Sequence, residues 1–154
     1  MFLLINLTSK AFGQEQSQRL NFILLIDKEI PIATIFDGYF LFKTQQNNIE
    51  DTIPFNYQVG GLMLTSSNYK KLFIQDSTAE IIIKFKYKRL FSSFVEIHDY
   101  EKRIPSTWIN ELYIILNIYN YYNATSRKKY YMRKGEYLIQ LQVPGKQNVL
   151  PFRK

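Results

Sequence analysis

The 154-residue chain holds a single histidine, His98, and the acid–base chemistry open to it starts there. Glu96 stands two residues earlier, so on a strand the two side chains share a face, with Asp99 and Glu101 just beyond. Such a pair can pass a proton. Ser92 and Ser93 lie close by, yet nothing around them resembles the sharp strand-to-helix turn that presents a nucleophilic serine. One His cannot build the multi-His sites that hold zinc or non-haem iron. The chain has no Cys, which removes thiol nucleophiles, thiolate metal sites, iron–sulfur clusters and disulfides together. Of its six Gly only Gly60 and Gly61 are neighbours, and neither stands in a G-x-G-x-x-G or GKS context that would cradle phosphate. The expectation is a non-enzymatic protein with no catalytic residue, no metal and no cofactor.

The residue types that remain are those of recognition. Lys84, Lys86 and Lys88 alternate just ahead of Arg89. Alternate strand residues are ~6.6–6.8 Å apart, so the three ammonium groups make a row along one face that could track a polyanion. Further on, Arg127-Lys-Lys-Tyr-Tyr-Met-Arg-Lys134 interleaves cations with rings, preceded by Tyr119, Tyr121 and Tyr122. Cations on phosphates and rings on bases are how single-stranded nucleic acid is held, although the signatures of RRM and KH modules are missing. Tyr and Arg are also the anchors of protein interfaces. Residues expected to meet a partner are Lys84, Lys86, Lys88, Arg89, Tyr121, Tyr122, Arg127, Lys128, Lys129, Tyr130, Tyr131 and Arg133. The expected partner is a protein, as for an inhibitor or immunity-type protein, or an anionic glycan. The alternative is an intracellular nucleic-acid-binding protein using the same surface.

The charge distribution agrees with an acidic partner. The chain carries a net +7, but residues 1–65 hold four Lys/Arg against six Asp/Glu, and residues 66–154 hold sixteen against seven. A basic half attracts nucleic acid, anionic polysaccharide, a membrane surface or an acidic protein. Lys on outer strand faces also has a plainer use in blocking edge-to-edge pairing.

At the N-terminus, a short apolar run from Phe2 to Leu7 precedes Ala11-Phe-Gly13, a small-residue pattern like that before a signal-peptidase cut. Residues 1–13 are therefore read as a signal peptide or, failing that, as a first strand, since no Lys or Arg precedes the run and the run is short. Residues 14–154 form one β-rich domain. A periplasmic or secreted location follows from the first alternative and a cytoplasmic one from the second. No other stretch approaches the ~18 apolar residues of a membrane span.

These side chains must be positioned by strands. The twelve Tyr, twelve Phe and many Ile favour pleated, half-buried surfaces. Apolar runs cover Leu20–Asp27, Ile32–Phe36, Tyr39–Lys43, Leu62–Thr65 and Leu72–Gln75, with Asp37-Gly38 between the second and third reading as a hairpin turn. Thr44–Thr52 reads as a loop. Ala79–Leu90 alternates cleanly, with Ile81, Ile83, Phe85 and Tyr87 on one face and Ile82, Lys84, Lys86 and Lys88 on the other. Phe94–His98 is a shorter strand that runs into a charged turn, Asp99–Arg103. Trp108–Tyr122 suits a strand by its β-branched and aromatic density, while Pro105-Ser106-Thr107 with Glu111 could open a helix. Lys128–Arg133 and Glu136–Val143 make a hairpin-like pair. The fold class expected is all-β, an antiparallel β-sandwich or open barrel, with at most one helix, placed at 106–122. The closing stretch Gly135–Gly145 resembles strand ends of transthyretin-like or immunoglobulin-like sandwiches over eleven residues.

Overall fold

A computed structural model describes residues 16–43, 50–74, 80–120, 122–134 and 136–148. The alternatives for residues 1–13, and Tyr121, lie outside them. Nine strands form one sheet: β1 (Ser17–Ile26), β2 (Ile35–Lys43), β3 (Glu50–Gln58), β4 (Gly61–Thr65), β5 (Glu80–Leu90), β6 (Val95–Ile104), β7 (Ile114–Asn120), β8 (Tyr137–Val143) and the two-residue β9 (Lys146–Gln147). Two short helices interrupt them, α1 (Ser66–Ile74) and α2 (Ala124–Tyr130), with a 3-10 turn at Ser106–Trp108.

The strand order is β6-β5-β2-β3-β4-β1-β7-β8-β9. All neighbours are antiparallel except β1 and β7, which run parallel from Phe22 opposite Ile114 to Ile26 opposite Ile118. The sheet curls until its flanks touch. Tyr100 on β6 donates to Asn120 Oδ1 on β7 at 2.6 Å, and its ring meets Tyr137 on β8 edge-on at 4.9 Å. The inner face is the core. Leu20, Phe22, Leu24 and Ile26 of β1 alternate with exposed or half-buried residues, as do Ile114, Leu116 and Ile118 of β7. Phe40, Ile53, Ile83 and Leu141 complete it from other strands. Burying each such side chain contributes about 1.5–3 kcal/mol. Leu72 of α1 and Ile109 beyond the 3-10 turn, both buried, close the lower end. The upper end, where β1, β5 and β7 finish, is left to polar side chains.

Several expectations are corrected. The β-rich class holds, but as one mixed sheet rather than two facing antiparallel layers, because β7 returns beside β1 after a long excursion and runs in the same direction. Helices number two among the described residues, and neither falls in 106–122, which contains the 3-10 turn and β7. The expected strand at Leu72 lies in α1. Thr65 caps that helix, its Oγ1 accepting the Asn68 amide at 3.3 Å. The expected strand at Lys128 is α2, capped by Asn123 Oδ1 accepting from the Ser126 amide at 3.0 Å. Cations of its last turn, Arg127 to Lys129, sit where the helix dipole favours them.

The Asp37-Gly38 hairpin is a bulge. Strand β2 passes through it, with Phe36 opposite Lys86 and Tyr39 opposite Lys84, so β2 carries one extra residue. Asp37 takes φ 49°, which satisfies the same local preference a turn would have met. Residues 50–52, read as loop, begin β3. Strand β6 also continues through the supposed charged turn, since Asp99, Glu101 and Arg103 face outward while His98, Tyr100, Lys102 and Ile104 stand opposite inner-face residues of β5.

Candidate functional site

The upper end is organised by the turn that follows β1. Asp27 and Lys28 take φ 53° and 73°, and Ile26 and Glu29 exchange backbone hydrogen bonds at 2.8 and 3.0 Å across them. This is the geometry of a two-residue hairpin turn. It holds the Asp27 carboxylate against the end of β7, where Oδ1 accepts the Asn120 backbone amide at 2.9 Å and Oδ2 accepts Asn120 Nδ2 at 3.3 Å. Asn120 Oδ1 in turn accepts the Tyr100 hydroxyl. Three strands are tied by one buried side chain, and every polar atom of that amide used here has a partner, as burial demands.

Beside this network the inner faces of β5 and β6 place Tyr87 opposite His98 and Arg89 opposite Glu96. The Arg89 guanidinium lies over the rings of Phe91, at 4.9 Å, and Tyr122, at 5.4 Å. Cation–π contact of this kind fixes a guanidinium without neutralising it. Arg89 Nη1 is buried and finds no hydrogen-bond partner among the described residues. His98 packs between Tyr87 and Tyr100, at 6.3 and 6.2 Å, with Tyr122 edge-on at 5.9 Å. Its Nε2 is 3.3 Å from Glu96 Oε2, within ion-pair distance, but the angles are not those of a hydrogen bond and both atoms are otherwise unpartnered. Among the described residues, three of the five buried side-chain atoms lacking a partner therefore belong to adjacent residues of one cluster. A pocket of about 340 Å³ opens over it, lined by Asp27, Glu29, Tyr87, Arg89, Asn120 and Tyr122 among others. Glu96 and His98 stand behind Arg89 and Tyr87 rather than on its wall.

Burial dominates the titration of the phenols. It pushes Tyr100 far above the usual 10.0, with the Asp27 charge adding to the effect. Tyr87, Tyr57 and Tyr119 move the same way, each chiefly by burial. For Tyr87 the Arg89 charge opposes the shift, while Asp27 and Glu29 add to it. As pH climbs past 10.0 the unfolded chain loses these protons first. The stability owed to neutral phenols is thus complete below that pH and lost as pH rises through the raised native values. Lys102 acts oppositely: it sits on the inner face opposite Ile83, burial lowers its pKa, and losing its proton relieves a penalty as pH approaches 10.5. Four phenols against one amine set the sign. The urea midpoint is expected to fall between about pH 9 and pH 11, and a midpoint that rises over that interval would contradict the assignment.

The residues singled out from the sequence divide into three groups. Arg89 and Tyr122 meet at the pocket. Lys84, Lys86 and Lys88 lie on the outer face of β5, one strand face away from Arg89. There Lys84 pairs with Glu101 at 2.8 Å and Lys86 with Asp37 at 3.0 Å. The bond to Asp37 raises the Lys86 pKa. Lys88 is exposed and pairs with no carboxylate among the described residues. Arg127, Lys128, Lys129 and Tyr130 are on α2, which starts at the pocket with Asn123 and Ala124. Tyr130 packs on Tyr119 at 5.1 Å, under the Lys129 ammonium. Tyr131 ends the helix at φ 50° with its ring exposed, and exposed Arg133 follows. Sequence reasoning missed Asp27, Tyr87, Tyr100 and Asn120. One signal was available: Asn120 ends the alternation Ile114, Leu116, Ile118 on the core face, where a polar side chain needs partners.

The described residues contain no group of three or more His, Asp or Glu placed to hold a metal ion. No helix among them is long and apolar enough to cross a membrane. In comparison with known proteins, no family model, no curated protein and no solved structure matches this chain.

Proposed function

We propose that the chain is a non-enzymatic binding module that takes an anionic partner, an acidic protein segment or an anionic glycan, at the upper end of the curled sheet. The sheet is read as an open barrel and this end as its mouth. One observation carries the reading: Arg89 is clamped between Phe91 and Tyr122 at the pocket's margin with Nη1 unpartnered. A guanidinium fixed in that way meets a carboxylate or sulfate at little entropic cost, since its orientation is already set. The cations of α2 follow within two turns of Ala124, which lines the same pocket. The position of Glu96 and His98 behind the wall favours binding over proton transfer, because a general base must reach its substrate.

The test uses poly-glutamate and a uronic-acid polymer as probes. Arg89→Ala is expected to weaken binding by about tenfold, a loss of about 1.4 kcal/mol. The quadruple change Arg127→Ala, Lys128→Ala, Lys129→Ala and Arg133→Ala is expected to abolish it. Unchanged affinity in both variants would show the surface to be wrongly assigned. Single-stranded DNA is the contrasting probe. Tight binding to it with a steep loss in salt, and none to the other two polymers, would make nucleic acid the partner.

A further inference from the structure

Strand β6 is the outermost strand on one flank of the sheet, and among the described residues no strand pairs with its far side. The other flank ends in β9, which is two residues long. Natural sheets blunt their edges with short strands, bulges or proline. Strand β6 has none of these. Its register with β5 runs unbroken from Val95 to Ile104, and no residue of that span is proline.

The phase of the ladder identifies the backbone groups left over. Phe91 donates to Phe94 O at 2.9 Å, so in the alternation that follows Glu96, His98, Tyr100, Lys102 and Ile104 exchange hydrogen bonds with β5. The Lys88 amide donates away from β6, to Thr34 O at 2.8 Å, which fixes the same phase. The amides and carbonyls of Val95, Ile97, Asp99 and Glu101 therefore point off the edge. None of them has a hydrogen-bond partner among the described residues. A row of donors and acceptors at strand spacing is complementary to another extended backbone.

The side chains of the same four residues stand on the outer face and specify what that backbone carries. Val95 and Ile97 are 51% and 57% exposed, with Leu90 opposite Val95 at 64%, so apolar residues belong beside them. Glu101 is met by Lys84 at 2.8 Å, whereas Lys86, opposite Asp99, gives its ammonium to Asp37 at 3.0 Å. Asp99 forms no ion pair among the described residues. It lies on the wall of an open pocket of about 480 Å³ that Tyr39 and Tyr137 also line. A guanidinium suits that place, because it bonds a carboxylate and stacks on rings. A second copy of β6 suits it poorly: antiparallel pairing over nearly the full strand sets Asp99 opposite Asp99 or Glu101, and like charges directly opposite are destabilising.

We propose that the edge of β6 takes an extended protein segment as an added antiparallel strand, with arginine opposite Asp99 and β-branched residues opposite Ile97 and Val95. This surface is distinct from the anion site, whose Arg89 lies on the inner face of β5.

The probe is a synthetic threonine-rich peptide with arginine, valine and isoleucine at successive alternate positions, and its control carries glutamate in place of arginine. In the full chain the amides of Val95, Ile97, Asp99 and Glu101 are expected to exchange their hydrogens freely, and about tenfold more slowly once the arginine peptide is bound. That peptide is expected to bind about tenfold more tightly than the control. Ile97→Pro removes one outward amide at a position where an edge strand accommodates proline. It is expected to keep the wild-type melting temperature and to lose about tenfold in affinity. Asp99→Lys, at an exposed site, is expected to reverse the preference between the two peptides. Equal binding of both peptides by the wild-type chain, or undiminished binding by Ile97→Pro, would overturn the proposal. Slow exchange of the four amides without peptide would also overturn it. Slow exchange independent of concentration would make a segment of this chain the occupant, and slow exchange that grows with concentration would make it a second copy. Absent binding of either peptide would overturn the proposal as well.

Discussion

Replacing Asn120 with leucine lowers the stability of this chain by about 2–4 kcal/mol, because each buried polar group left without a partner costs about 1–3 kcal/mol. The side chain is nearly isosteric, so the loss is chemical rather than steric. Asn120 is 4% exposed and its amide serves two neighbours, accepting from the Tyr100 hydroxyl and donating to Asp27. Tyr100 is itself buried, which shields its hydroxyl from solvent. Asp27 is half-buried and keeps the backbone amide of residue 120, so the Tyr100 side dominates the cost. A cycle with Tyr100→Phe isolates the bond: the double variant is expected to cost less than the sum of the singles, since neither then strands the other's partner. Thermal unfolding reads this as a fall of about 5–15 °C for Asn120→Leu. A shift of less than about a degree would mean that the network does not hold β6 against β7.

Gly38→Val is the second large effect, expected at about 1–3 kcal/mol for overpacking a filled core. A Cβ at position 38 would collide with the ring of Phe55, its partner across the β2–β3 ladder. The ring cannot swing aside freely, because it packs against Phe40 at 5.2 Å and is itself buried. Positive φ is not the reason here, as it is Asp37 that takes the left-handed conformation of the bulge. Phe55→Leu, which removes the ring, is expected to recover part of the loss in the Gly38→Val background. Denaturant unfolding of the four proteins tests this, and strict additivity would show that the collision is not the cause.

Much of the fold could be read from residue pattern alone. Strand β5 was legible because every second residue from Ile81 to Tyr87 is apolar, while Lys84, Lys86 and Lys88 alternate with them on the other face. Strands β1 and β7 were legible from the density of Leu and Ile, and β8 from Tyr137, Ile139, Leu141 and Val143. Period 2 is a local property and survives whatever the neighbours are. The helices were misread for a related reason. Thr65 and Asn123 are good caps, but the segments behind them are short and aromatic, and local preference alone does not favour a helix there. Packing decided it: Leu72 of α1 fills the lower end of the core, and Met132 just beyond α2 is buried. The Asp37-Gly38 pair likewise encodes a conformation, and a hairpin and a bulge both use it.

What the sequence determined is therefore local: strands by alternation, the outer basic row on β5, and the absence of thiol chemistry. The tertiary structure decided which of those local features meet. Arg89 was grouped with Lys84, Lys86 and Lys88 as a partner-binding residue, yet the pleat turns it to the opposite face, where the curl of the sheet sets it against Tyr122 from β7's end. Asp27, Asn120 and Tyr100 lie 93 and 20 residues apart along the chain and are joined only because β1 and β7 run parallel while β6 closes back on them. Alternation carries no information about strand order, and strand order is what assembles the mouth of this sheet.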